Sequence, residues 1–116
     1  MAQKHVVATF SHPPYGSIWY TEGLRAAVGV TAGTDEHTVD VIYLGDGVFF
    51  ALKGVDRTDS ARYIGTLAKG GSRPKVEAES LKDRAISKED LATDVDVIPR
   101  REVLALISRA DHTIDF

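Results

Sequence analysis

Three polar side chains follow apolar runs that have the pattern of strands, and these side chains are the first candidates for chemistry. His12 follows residues 6–10, Asp46 follows residues 38–44, and Glu77 ends a shorter run. In an open α/β sheet, ligands bind outside the carboxyl ends of the strands. A histidine and two carboxylates that meet at such an edge could exchange protons in hydrolysis. The same three side chains could also bind a metal. One hypothesis is therefore a small hydrolase-like enzyme that uses His12 with Asp46 or Glu77.

The loop after the first apolar run concentrates further binding groups. It holds His12, Tyr15, Gly16 and Ser17 between that run and a helical pattern. Ser17 is a plausible N-cap, and the free N–H groups and positive dipole end of a helix start attract anions. We therefore predict a small-ligand site at these four residues. The competing interpretation is ordinary capping by Ser17 and a structural hydrogen bond from His12.

The two carboxylates also have alternative interpretations. Asp46 lies between glycines and could act only as the cap of a short helix, whereas Glu77 could be a desolvated base or a solvated rim residue. We retain both as candidate ligand-binding residues. The other histidines have the setting of surface or edge residues, and no two histidines have the spacing of metal ligands. We therefore expect no metal, no cofactor and no assigned catalytic residue.

Composition excludes several classes of function. The chain has 116 residues, 43% of them apolar and 27% charged, as in a soluble globular domain that spans residues 1–116. Its net charge of -3 argues against a nucleic-acid partner, and no apolar run approaches a membrane span. The absence of cysteine excludes disulfides and thiolate chemistry. No signal-peptide pattern precedes the first strand, so we expect a cytoplasmic protein.

Short apolar runs alternate with helical patterns along the whole chain. We predict strands at residues 6–10, 38–44, 74–78, 95–98 and 111–116. The helical patterns cover residues 17–30, 48–52, 56–67, 80–84, 87–91 and 99–107. This alternation predicts a three-layer α/β/α sandwich in which right-handed crossovers connect the strands of a parallel sheet.

The first half of the chain has the composition of a subunit interface. Residues 1–50 hold only two basic and five acidic side chains. Interface cores are depleted in charge and enriched in aromatic residues. We therefore predict a homo-oligomer whose interface includes Trp19, Phe49 and Phe50.

The first helix supports the same prediction. Its apolar residues do not follow one stripe, which is typical of a helix that is buried on more than one side. Gly23 and Gly29 each weaken a helix by about 1 kcal/mol relative to alanine. We expect such residues where another backbone comes close.

Five segments in order resemble the DsrE/DsrF-like proteins, and the resemblance is closest to the DsrF/TusC branch. The segments are HPPYG at 12–16, EGLRAA at 22–27, LGDGV at 44–48, ESLKDR at 79–84 and ADHTIDF at 110–116. Their order and spacing carry the similarity, which spans the whole chain. The resemblance implies a five-stranded parallel sheet in the order 4-3-2-1-5. It also implies oligomers and, for characterised members, sulfur relay in the cytoplasm.

One departure from this family pattern concerns function. In relay members a cysteine just after the third strand carries a persulfide, and the register on Ser80 and Leu81 places that position at Glu77. Because the chain has no cysteine, it cannot transfer a persulfide. The main hypothesis is therefore a cysteine-less structural or small-ligand-binding subunit of a homo-oligomer. DsrE- or DsrH-like relatives are further candidate partners.

Overall fold

The computed structural model describes residues 3–13, 18–32, 37–55, 60–69, 71 and 73–116. The predictions for Tyr15, Gly16 and Ser17 concern residues outside these ranges. In the described part of the chain, no helix has both the length and the apolar character needed to cross a membrane.

Five parallel strands form one sheet in the described residues, in the order β4-β3-β2-β1-β5. They are β1 His5–Phe10, β2 Thr38–Tyr43, β3 Lys75–Glu77, β4 Asp96–Ile98 and β5 His112–Asp115. The register pairs His5 with Thr38, Lys75 with Ile42, and Glu77 with Ile98. This arrangement confirms the predicted α/β class, the five-stranded parallel sheet and its strand order.

The helices lie between the strands, where the sequence pattern predicted them. The α-helices are α1 Trp19–Thr31, α2 Ala61–Lys69, α3 Ala78–Asp83 and α4 Arg100–Arg109. Two 3₁₀ helices, Gly45–Ala51 and Lys88–Asp90, follow β2 and α3. At the start of the second, Ser87 and Asp90 form a reciprocal capping box.

The two faces of the sheet are covered unequally. On one face, alternate strand residues pack with α1, α2 and the first 3₁₀ helix in the main core, which includes Phe10, Tyr43 and Val76. On the other face a smaller cluster packs against α4 alone, around Ile42 and Val103. The remaining strand positions of this second face carry polar side chains, among them Asp40, Lys75 and Glu77.

Within the chain, α1 buries a single stripe formed by Tyr20, Gly23, Leu24 and Ala27. The expected close backbone is not the nearest neighbour of Gly23, whereas at Gly29 the expectation stays a prediction. A Cβ at Gly23 would lie 2.3 Å from the Phe10 ring, so the neighbour is a side chain. A Cβ at Gly29 would meet no atom within 4 Å, which leaves that position open.

The two adjacent phenylalanines of the first 3₁₀ helix separate as the helical step requires. Phe50 is 4% exposed and lies in the chain's own main core, and Phe49 is half-buried. Phe50, which we predicted at a subunit interface, is therefore covered by its own chain. Trp19 remains 50% exposed at the start of α1, beside Ile18.

Candidate functional site

Glu77 is a buried carboxylate at the carboxyl end of β3. The residue is 5% exposed, and its Oε1 accepts two hydrogen bonds. Ser80 Oγ donates from α3 at 2.6 Å, and Arg100 Nη2 donates from the first turn of α4 at 2.9 Å. The predicted candidate is thus a hydrogen-bonded, ion-paired group and not a solvated rim residue.

Ser80 also connects the ends of two neighbouring strands. Its Oγ accepts the backbone N–H of Gly45 at 2.9 Å, immediately after β2. Gly45 has a φ of 54°, in the left-handed region that favours glycine. A Cβ at Gly47 would lie 1.8 Å from the carbonyl oxygen of Phe10. The glycines on either side of Asp46 are therefore explained by structure: Gly45 adopts a left-handed backbone conformation, and Gly47 lies against the backbone of Phe10.

Asp46 does not cap the 3₁₀ helix in which it lies, so that part of the sequence interpretation was wrong. The N-cap position is Leu44, and no side chain caps it. Asp46 Oδ1 instead accepts from Arg84, at 3.1 Å from Nε and 2.9 Å from Nη2. Arg84 Nη1 also donates to the carbonyl of Ser80 at 3.2 Å. We call Asp46, Glu77, Ser80, Arg84 and Arg100 the carboxyl-edge cluster.

The protonation state of Glu77 follows from these contacts. Burial raises the pKa of Glu77, but the hydrogen bonds from Arg100 and Ser80 outweigh burial and hold this pKa below its ordinary value. The bond to Glu77 likewise raises the pKa of Arg100. Both groups are charged at neutral pH, so Glu77 is a hydrogen-bond acceptor there and not a proton donor.

Glu79 attaches α4 to the same edge of the sheet. Its Oε1 accepts the backbone N–H of Arg100 at 2.8 Å, at the start of the helix. A carboxylate at a helix start satisfies an otherwise unpaired N–H group and interacts favourably with the helix dipole. The position of the Arg100 guanidinium therefore depends on contacts from both α3 and β3.

His12 lies apart from the carboxyl-edge cluster. It is exposed, and its ring stacks on Trp19 with the centroids 5.7 Å apart and the planes 24° from parallel. Among the described residues, no contact joins His12 to Asp46 or Glu77. The structure thus brings the two carboxylates into one cluster through Arg84 and Ser80, and it places the histidine in an exposed aromatic pair.

A second ionic cluster, which the sequence interpretation missed, lies inside the sheet on the α4 face. His5 Nε2 donates to Asp40 Oδ2 at 2.6 Å, and Lys75 Nζ donates to Asp40 Oδ1 at 2.8 Å. The three residues lie on adjacent strands β1, β2 and β3. Burial raises the pKa of Asp40, but the bonds from Lys75 and His5 outweigh it, so this pKa is below its ordinary value.

The sequence contained weak signals for both clusters. Ser80 lies three residues after Glu77, and Arg84 lies four residues after Ser80, which is the spacing of one helix face. Asp40 interrupts an otherwise apolar strand, and such a polar residue needs a partner. In the described residues, no group of three or more histidine or acidic side chains could hold a metal ion.

The model of the DsrE/DsrF-like family matches residues 4–116, which is nearly the whole chain. The chain belongs to the DsrE/DsrF-like family. No curated protein sequence gives a significant match to this DsrE/DsrF-like chain.

Two solved structures share the DsrE/DsrF-like fold over almost their full lengths. The ychN protein from E. coli has a TM-score of 0.80 and 21% sequence identity, and the alignment covers 98% of this chain and 99% of that one. MTH1491 from Methanobacterium thermoautotrophicum, a protein of unknown function, has a TM-score of 0.72 and 14% identity, with the same coverage. At these identities the likeness concerns the fold alone.

Proposed function

We propose that this DsrE/DsrF-like chain is a thiol-independent, small-ligand-binding subunit of a homo-oligomer, related to the DsrF/TusC branch of sulfur-relay proteins. The observation that carries the proposal is the state of Glu77. At the strand end to which the resemblance assigns a relay cysteine, this chain has a buried carboxylate bound by Arg100 and Ser80. A carboxylate cannot carry a persulfide, but it can bind and orient a ligand.

The absence of cysteine supports the same conclusion for the whole chain. Sulfur relay through a protein needs a thiolate as the nucleophile, and the sequence contains none. The ionised Glu77 is also a weak general base, because hydrogen bonds lower its pKa. Binding is therefore the role that this site supports best, in the cytoplasm where characterised relay members act.

An exposed patch at the start of α1 supports the proposed assembly. Ile18 is 73% exposed and Trp19 is 50% exposed, and His12 stacks on the indole. Tryptophan is among the residues that most often dominate the energy of protein interfaces. We propose that this patch and the half-buried Phe49 contact a second copy of the chain. DsrE- or DsrH-like relatives are the other proposed partners of the same surface.

A labelling experiment tests the proposed chemistry. The purified chain is incubated with a cysteine desulfurase and sulfur-labelled cysteine, and then denatured. We expect no stable label on the chain, because it has no thiol. Label that survives denaturation would contradict the proposal.

Light scattering coupled to size-exclusion chromatography tests the assembly. We expect a mass of several chains at micromolar concentration, and we expect Trp19→Asp to dissociate the assembly without unfolding the domain. Leu104→Asp is the matched control, because Leu104 is 58% exposed on α4, across the sheet from α1. A mass near 12.6 kDa for the unaltered chain would exclude the homo-oligomer.

A further inference from the structure

Glu77 uses only one of its two carboxylate oxygens. The donors from Ser80 and Arg100 both reach Oε1, and among the described residues no donor reaches Oε2. The residue is 5% exposed, yet the described part of the chain contains no fully buried side-chain oxygen or nitrogen without a partner. The small exposed part of Glu77 therefore includes Oε2, which faces solvent at the carboxyl edge of the sheet.

Arg100 presents unused donors beside this oxygen. Its side chain is 51% exposed, and within the described residues only Nη2 has a hydrogen-bond partner. The Nε and Nη1 groups of the guanidinium are thus available to a ligand. A free acceptor and free donors of opposite charge lie next to each other, since Nη2 and Oε1 are 2.9 Å apart.

The local charges exclude the simpler ligands. A plain anion that approaches Arg100 also meets the carboxylates of Glu77 and Glu79, and Glu79 already occupies the backbone N–H of Arg100. A plain cation that approaches Glu77 meets the guanidinium of Arg100. A ligand with both charges separated by a few ångströms avoids both repulsions.

We infer that Glu77 and Arg100 form a binding site for a small zwitterion, an α-amino acid, whose ammonium group donates to Glu77 Oε2 and whose carboxylate accepts from Arg100. This inference rests on the proposed ligand-binding function and names its ligand class. Arginine binds carboxylates through paired, charge-assisted hydrogen bonds. Ser80 holds the other oxygen of Glu77, so the acceptor is oriented before the ligand arrives, which lowers the ordering cost of binding.

Glycine is the simplest probe of this site. In an NMR titration of the whole chain, we expect glycine to shift the Nε–H signal of Arg100 and the backbone amides of Gly45 and Ser80. Acetate and methylammonium each carry one of the two charged groups of glycine. Each should bind at least about tenfold more weakly than glycine, because each loses one charge-assisted hydrogen bond. Equal binding of acetate and glycine would overturn the inference in favour of a plain anion site.

Two variants separate binding from folding. Glu77→Gln keeps the side-chain shape and removes the charge, so the glycine affinity should fall about tenfold or more. Arg100→Gln should have a similar effect, and its matched control is Arg101→Gln at the neighbouring exposed arginine. If Arg100→Gln does not fold, Arg100→Lys, which keeps the charge and loses the paired geometry, gives the same comparison.

The outcomes also distinguish this inference from the proposed function. The absence of glycine-induced shifts at millimolar concentration, or glycine binding that Glu77→Gln leaves unchanged, would overturn the zwitterion site. The thiol-independent oligomer would then still stand, because the sulfur label and the particle mass test it separately.

Discussion

Asp40 and Glu77 are two carboxylates on neighbouring strands and on the same face of the sheet, but their surroundings differ. Asp40 uses both oxygens, one for His5 and one for Lys75, and both partners come from adjacent strands. Glu77 uses one oxygen for two donors, and both donors come from helices. The first cluster is closed by the sheet register, whereas the second leaves an acceptor open.

The difference follows from the positions of the two residues. Asp40 lies within β2, on the part of the α4 face where the sheet has polar side chains. His5 and Lys75 bond to the Asp40 carboxylate there, at a position that no helix of the described residues covers. Glu77 lies at a strand end, where α3 and α4 begin and where solvent reaches the edge. Both oxygens of Asp40 are therefore bonded within the sheet, whereas Glu77 keeps one oxygen open to solvent at the strand ends.

Acidification should give the largest effect, because it removes both ion pairs at once. Both carboxylates have folded-state pKa values below their ordinary values. Each therefore contributes stability above its unfolded-state pKa of about 4, and this contribution is lost as the pH falls through the folded-state value. Urea unfolding between pH 7 and pH 2 measures it. Asp40→Asn and Glu77→Gln should each flatten the acidic part of the plot of unfolding free energy against pH. An unchanged plot in either variant would mean that its carboxylate does not stabilise the fold.

Removal of the Lys75 charge should give the next largest effect. Lys75→Met leaves Asp40 partly buried with His5 as its remaining described partner, so the free energy of unfolding should fall by about 2 kcal/mol. Urea unfolding at pH 7 measures this change. Lys69→Met, at the exposed end of α2, is the control and should stay within about 0.5 kcal/mol of the unaltered chain. A loss no larger than that of the control would show that the sheet cluster is not stabilising.

Removal of the Arg100 charge should cost less. The guanidinium is half-exposed and water can reach Glu77 Oε2, so Arg100→Met should lower the free energy of unfolding by less than Lys75→Met does. The same urea experiment with Arg101→Met provides the matched control. A larger loss of unfolding free energy than that of Lys75→Met would contradict this prediction, because the ion pair of Glu77 would then stabilise the fold more than the cluster around Asp40 does.

The smallest effect should come from the helix that carries Ser80. Ala85, two residues after the end of helix α3, has a φ of 54° in the left-handed region. Ala85→Gly should raise the free energy of unfolding by about 1 kcal/mol, because glycine adopts this conformation without the strain of a Cβ. Thermal unfolding followed by circular dichroism measures the change. Because Ala85 is exposed and outside both clusters, the glycine affinity should stay constant, and a lower affinity would mean that α3 must be strained for the site to form.

The sequence interpretation succeeded where local pattern decides structure. Short apolar runs bounded by proline, glycine and polar residues predicted the strands, because a strand of a covered parallel sheet needs little else. It failed for Asp46, whose type and position fit a cap, because Arg84 competes for the same carboxylate from 38 residues away. It also classed His5 as a surface or edge residue, because its partner lies on another strand.

The α/β class, the absence of thiol chemistry and the position of Glu77 at a strand end could all be predicted from the amino-acid sequence. These properties depend on composition and on alternation along the chain, which are local. The hydrogen-bond partners of the two carboxylates depend on how the chain folds. Lys75 is 35 residues from Asp40 and Arg100 is 23 residues from Glu77, and only the parallel crossovers bring them within hydrogen-bond distance. Whether a carboxylate has both oxygens bonded or one open to solvent therefore depends on long-range packing, for which the local pattern gives only weak signals.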